Sequence, residues 1–177
     1  MSHITTALAI TMISGAVFAE QRNAGSHVHG LNHATIVLEG NRLQIAYEFP
    51  AEQLGEQGHE EHKHEEHGDK AHELSDKLEA IESVFAIVSL PENAQCKETE
   101  VTHSLTQVGG SDTKLEGHHD ALIQVILECR APENLTNLSF EPAFERFVDL
   151  EKIEVEGVME TEALSITLTS LSSSLEL

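Results

Sequence analysis

Residues 55–73 set the first limit on what this chain can fold into. The run reads Gly-Glu-Gln-Gly-His-Glu-Glu-His-Lys-His-Glu-Glu-His-Gly-Asp-Lys-Ala-His-Glu and holds five of the twelve histidines: His59, His62, His64, His67 and His72. A unit His59-Glu60-Glu61-His62 repeats as His64-Glu65-Glu66-His67 across Lys63. In a continuous helix each His-x-x-His pair shares a face, but at ~100° per residue the two pairs point about 140° apart. In a strand, His62 and His64 project to one side while His59 and His67 project to the other. Neither regular form gathers four imidazoles on one ion, so the stretch reads as a mobile loop bracketed by Gly55, Gly58 and Gly68.

The expected chemistry of that loop is metal capture. Neutral imidazole is the commonest protein ligand for zinc, and carboxylates can complete a shell. From Glu56 to Glu73 seven acidic side chains stand against two lysines, so the segment is anionic before any metal arrives. The bland alternative is a solvated polar insertion with no ligand, and five histidines within fourteen residues weigh against it.

Ahead of the loop, Met1 to Ala19 contains no Lys, Arg, Asp or Glu, is apolar from Ala7 to Phe18, and ends in Val17-Phe18-Ala19. This is the layout of a secretory signal peptide, too short for a membrane span, although the usual basic residue near the start is missing. Cleavage after residue 19 leaves one domain over residues 20–177, with the His-rich loop, residues 55–69, inside it. The remaining chain keeps the whole formal charge of −21. Such a surface repels nucleic acid and anionic lipid and concentrates cations. No later apolar run is long enough to cross a bilayer. Export also bears on the two cysteines, Cys96 and Cys129, which are expected to form a disulfide. Closing that loop is worth ~3–4 kcal/mol on the chain-entropy model.

In chain order, His27-Val28-His29-Gly30-Leu31-Asn32-His33 places three histidines where a turn at Gly30 would let them meet around a cation. A hairpin follows: Ala34, Ile36 and Leu38 alternate with other residues, Glu39-Gly40-Asn41 turns, and Leu43, Ile45, Tyr47 and Phe49 alternate up to Pro50. Beyond the loop, Leu74, Leu78, Ile81, Phe85 and Val88 recur at helical spacing. They predict one main amphipathic helix from about Lys70 to Ser89, ended by Pro91. Cys96 to Leu105 and Ala121 to Leu127 read as paired strands that would set the cysteines opposite one another. His118, His119 and Asp120 then sit at the entry of the inner strand, with His118 on the side of Asp120. His103 reads as an ordinary sheet residue. Leu135 to Phe140 suits a strand, and Glu141 to Phe147 a short helix with proline at its start. Asp149 to Met159 and Ala163 to Thr169 suit a final hairpin, and Ser170 to Leu177 a frayed end. The sum is an α+β fold: mostly antiparallel hairpins packed by one main amphipathic helix, with a His-rich flexible loop.

Four blocks in this order resemble the ZrgA family, zinc-regulated proteins of the bacterial periplasm. They are His27-Val28-His29-Gly30; Phe49-Pro50-Ala51 with Leu54-Gly55; Leu90-Pro91-Glu92-Asn93-Ala94-Gln95-Cys96; and His118-His119-Asp120 leading to Cys129. The resemblance covers most of the chain after the leader. It implies a periplasmic Zn2+-binding protein that helps supply a high-affinity zinc importer. It also implies an ordered site at His27, His29, His118, His119 and Asp120, with the loop as an auxiliary one. The chain departs from the family after Gly55, where Glu56-Gln57-Gly58-His59 stands in place of a Phe-Glu-His group.

Enzyme readings fare poorly. His59-Glu60-Glu61-His62 is one residue out of phase with the His-Glu-x-x-His arrangement of zinc proteases. There is no Gly-x-Ser-x-Gly elbow and no phosphate-cradling glycine loop. The expectation is a non-enzymatic zinc carrier. Its alternatives are a zinc hydrolase built on His27, His29 and His118, or a copper or nickel binder, since imidazole sites follow geometry and supply.

Overall fold

The computed structural model describes residues 30–55, 69–108, 118–159 and 162–177. Two strands open it, β1 (Leu31–Glu39) and β2 (Arg42–Pro50), paired antiparallel across a turn in which Gly40 takes φ +59°. Their side chains alternate strictly. Asn32, Ala34 and Ile36 with Leu43, Ile45, Tyr47 and Phe49 are buried on one face, while His33, Thr35, Gln44 and Glu48 occupy the other. β3 (Cys96–Val108) and β4 (His118–Cys129) form the second hairpin, in the register that sets Cys96 opposite Cys129. The two cysteines are joined as a disulfide, as their count and placement predict.

β6 (Lys152–Met159) and β7 (Glu162–Thr169) make the last hairpin, and the six strands form one sheet in the order β3-β4-β2-β1-β6-β7. The sheet is mostly antiparallel, as the alternation predicts, and mixed only where β1 and β6 run parallel. Gly157 makes that approach possible: a Cβ there would stand 2.4 Å from the carbonyl oxygen of Ile36. On the packed face, Tyr47, Phe49, Phe140 and Phe147 cluster, with the Phe49 and Phe147 rings 4.8 Å apart.

Two expectations are corrected. The main helix is not main: α1 spans Asp69–Glu79, where Leu78 is buried and Leu74 half-buried, and it stops well short of Ser89. Side chains of β3 hold the next segment in another form. Glu98 accepts hydrogen bonds from Ser83 Oγ (2.9 Å) and the Val84 backbone N–H (2.6 Å), and His103 Nε2 lies 2.9 Å from the Ile81 carbonyl. The chain therefore closes a 3-10 turn at Val84–Ala86, Ile87 and Val88 are buried in the core, and Phe85 is left 43% exposed. The parallel pairing of β1 with β6 adds to the expected hairpins, since hairpin logic reaches only between neighbours in the chain. Second, the terminus is not frayed. β8 (Ser174–Glu176) pairs with β5 (Asn137–Ser139), and Leu175 is buried beside Leu138. A second helix, α2 (Glu141–Arg146), has Pro142 in its first turn, as expected.

Candidate metal centre

Strand order decides which candidate ligands can meet. β2 lies between β1 and β4, antiparallel to both. The start of β1, the end of β2 and the start of β4 therefore fall at one end of the sheet. There Pro50 is registered with Asp120 on β4, Asp120 with Thr106 on β3, and His33 with Glu48 on β2. Two strand spacings, about 10 Å, separate β1 from β4. The disulfide occupies the far end of β3 and β4.

The segments that carry the candidate ligands join the sheet at this end. Gly30 leads into β1 with φ +76°, and a Cβ there would meet the Asp149 carbonyl at 2.9 Å, so only glycine fits the entry. Its own carbonyl accepts the backbone N–H groups of Glu151 (2.8 Å) and Lys152 (2.9 Å), which fixes the entry against β6. β2 runs into a 3-10 turn at Ala51–Leu54 and Gly55, the attachment of the His-rich segment. β4 opens with His118-His119-Asp120 itself.

His33 lies on the open face, with Nδ1 3.5 Å from Glu154 Oε2 on β6 and Glu48 opposite on β2. The imidazole is thus flanked by carboxylates on both neighbouring strands. His119 is half-buried and in phase with the buried Ala121, whereas Asp120 is in phase with the opposite face. A single ion cannot take both without leaving the strand geometry. His72 sits on α1, exposed, with Nδ1 3.6 Å from Asp76 Oδ1, and so belongs to the helix rather than to the sheet end. His103 is structural: because a carbonyl can only accept, its Nε2 carries the proton given to Ile81. His27, His29, His59, His62, His64 and His67 lie outside the described residues. Among the described residues, no group of three or more His, Cys, Asp or Glu side chains is placed to hold a metal.

One residue at this end escaped the sequence reading. Asn32 is fully buried, and its Nδ2 donates to Tyr47 Oη (2.8 Å) and to Gln53 Oε1 (3.0 Å). It thereby ties the start of β1 to β2 and to the turn from which the His-rich segment departs. Its Oδ1 is buried with no hydrogen-bond partner among the described residues. Burial pushes the Tyr47 phenol well above the usual tyrosine range, only partly offset by the bond from Asn32. The available signal was phase: Asn32 falls in step with Ala34 and Ile36, on the core side of β1.

Compared with known families, residues 26–177 match the one described as ZrgA family zinc uptake protein. No curated protein matches the chain.

Proposed function

The chain belongs to the ZrgA family of zinc uptake proteins, and from that premise we propose that it captures Zn2+ in the bacterial periplasm and passes it to a high-affinity importer. The observation that carries this reading is the convergence of three His-linked chain segments, entering at Gly30, Gly55 and His118, on one end of one sheet. His118 and Asp120, in phase along β4, would meet His27 and His29 arriving from beyond Gly30, with β2 alone between the two strands. His33, already engaged with Glu154, would serve at the margin. His119, in phase with the packed side, would bind only if the strand entry gives way. His59, His62, His64 and His67 would act as an auxiliary catching arm hung from the same end, with His72 at its root on α1. A formal charge of −21 raises the local concentration of divalent cations around both. An oxidising compartment agrees with the Cys96–Cys129 disulfide, and the leader through Ala19 would deliver the chain there. The family's description as one of zinc uptake favours a carrier over an enzyme.

Calorimetric zinc titration tests this directly, on the wild-type protein, on a deletion of Gly58–Gly68, and on the double variant His118→Ala/His119→Ala. The deletion should remove the weaker sites and keep the tight one, and the double variant should do the reverse. Zinc should leave as pH falls toward the imidazole pKa of ~6.5, since a protonated ring cannot ligate. No detectable binding tighter than micromolar would end the proposal, and loss of all binding on deleting the loop would end its ordered site. Parallel titrations with copper and nickel establish whether zinc is the preferred cargo.

A further inference from the structure

On the open face of the sheet, near the end where β1 begins, the strand order assembles a row of donors. His33 on β1 is registered with Glu48 on β2 and with Glu154 on β6. Each alternates with buried neighbours: His33 with Asn32 and Ala34, Glu48 with Tyr47 and Phe49, Glu154 with Ile153 and Val155. All three therefore project from the uncovered side. On β4, Leu122 is registered with Glu48 and Asp120 with Pro50, which makes Asp120 a diagonal neighbour of Glu48 on the same face. Across four adjacent strands the row reads Glu154, His33, Glu48, Asp120, and the last three are half-buried. In antiparallel pairs, directly opposed Cβ atoms stand about 5 Å apart and diagonal neighbours about 7–8 Å.

One contact orients the row. His33 Nδ1 lies 3.5 Å from Glu154 Oε2, on the β6 side of the ring. The two ring nitrogens sit on opposite flanks, so Nε2 is turned toward β2, where Glu48 stands. A carboxylate at Nδ1 favours the tautomer with the proton there and leaves the Nε2 lone pair outward, the form in which imidazole ligates a metal. An ion held by β1 and β4 alone would have to bridge about 10 Å, and Glu48 is the donor on the strand between them. We infer that Glu48 is a metal ligand, sharing one Zn2+ with His33 Nε2 and Asp120, and that Glu154 is a positioning residue acting through His33. This rests on the zinc-capture reading and deepens its ordered site, bringing His33 in from the margin and adding a carboxylate from β2. As placed, the side chains do not converge on one point. Rotation about the χ angles of Glu48 and Asp120 closes the gap with the strands fixed. Three protein donors leave the fourth position of a tetrahedral ion for one imidazole from the segments that enter at this end.

Calorimetric titration of the purified protein with Zn2+ tests these roles. Glu154→Gln should lower the affinity of the tight site by roughly tenfold, and the isosteric Glu48→Gln by more than that. Glu39→Gln, which removes the same charge at the exposed far end of β1, should leave it unchanged. All three variants should melt as the wild type does. A second measurement needs no variant: nitrogen-correlated NMR of the zinc-loaded wild type should show His33 coordinated through Nε2 with its proton on Nδ1, a state that an ion pair with Glu154 alone does not produce. Tight binding that survives Glu48→Gln, an equal loss in Glu39→Gln, or a His33 ring free of metal in the loaded protein would each overturn the inference while leaving zinc capture intact. A wild-type protein without tight binding would overturn both.

Discussion

The two ends of β2 and β4 are made to opposite specifications. At one end Cys96 and Cys129 are covalently joined, beside Arg42, which is registered with Glu128. At the other, the same strands finish in Pro50 and begin at His118, and the polar network of Asn32, Tyr47 and Gln53 holds β1, β2 and the adjoining turn together. The covalent end stabilises whatever the other end does. The histidine-bearing end relies on hydrogen bonds and on glycine at Gly30, where a Cβ would meet the Asp149 carbonyl. Clamp and histidine-bearing end thus share strands but not chemistry, and each should yield to a different perturbation.

The largest expected effect lies at the clamp. Replacing both cysteines by alanine should lower stability by ~3–4 kcal/mol in chemical denaturation, while the tight zinc site, measured at a temperature where the variant is folded, stays within threefold of wild type. If zinc affinity collapses with the disulfide, the two ends are not independent. Next is Asn32→Ala, which leaves the buried Tyr47 hydroxyl without its partner and should cost about 1–3 kcal/mol. Unlike the cysteine change it should also weaken zinc binding, because it loosens β1 from the turn at Ala51–Leu54; unaltered zinc affinity would separate the network from the site. His118→Ala/His119→Ala should cost at least tenfold in zinc affinity, about 1.4 kcal/mol, with apo stability within ~0.5 kcal/mol of wild type. A large fall in apo stability would mark those residues as structural instead. The smallest effect at neutral pH comes from Tyr47. Its folded pKa is raised by burial above the unfolded value of ~10, so the protonated phenol favours the folded state. That contribution is complete below pH ~10 and is lost as pH climbs toward the folded value. Alkaline denaturation should therefore steepen above pH ~10, and Tyr47→Phe should flatten that limb.

Much of this fold is legible from neighbours in the chain. Period-two alternation gives the β1–β2 hairpin, the opposed cysteines give the β3–β4 register, and Pro142 marks the start of α2. The failures share one cause. The stripe Leu74, Leu78, Ile81, Phe85, Val88 fits a long helix, yet Glu98 and His103 on a later strand capture residues 81–84 and turn the chain into the core. Leu175 looks like part of a loose tail until Leu138 meets it across β5 and β8. Of the candidate site, the sequence supplied the donors and the strand phase of His119 against Asp120, but it passed over Asn32 and offered His33 no sign of Glu154.

Residue identity alone settled that this chain is rich in imidazole, strongly anionic, provided with one cysteine pair, and built from alternating strands, because those properties are fixed by composition and by spacing within a few residues. Only the tertiary structure decided that β2 lies between β1 and β4, that β6 runs parallel to β1, and that Gly30, Gly55 and His118 stand at the same end of the sheet. Those are pairings between strands far apart in the chain. They are chosen by which buried faces fit together, and no local pattern encodes that choice.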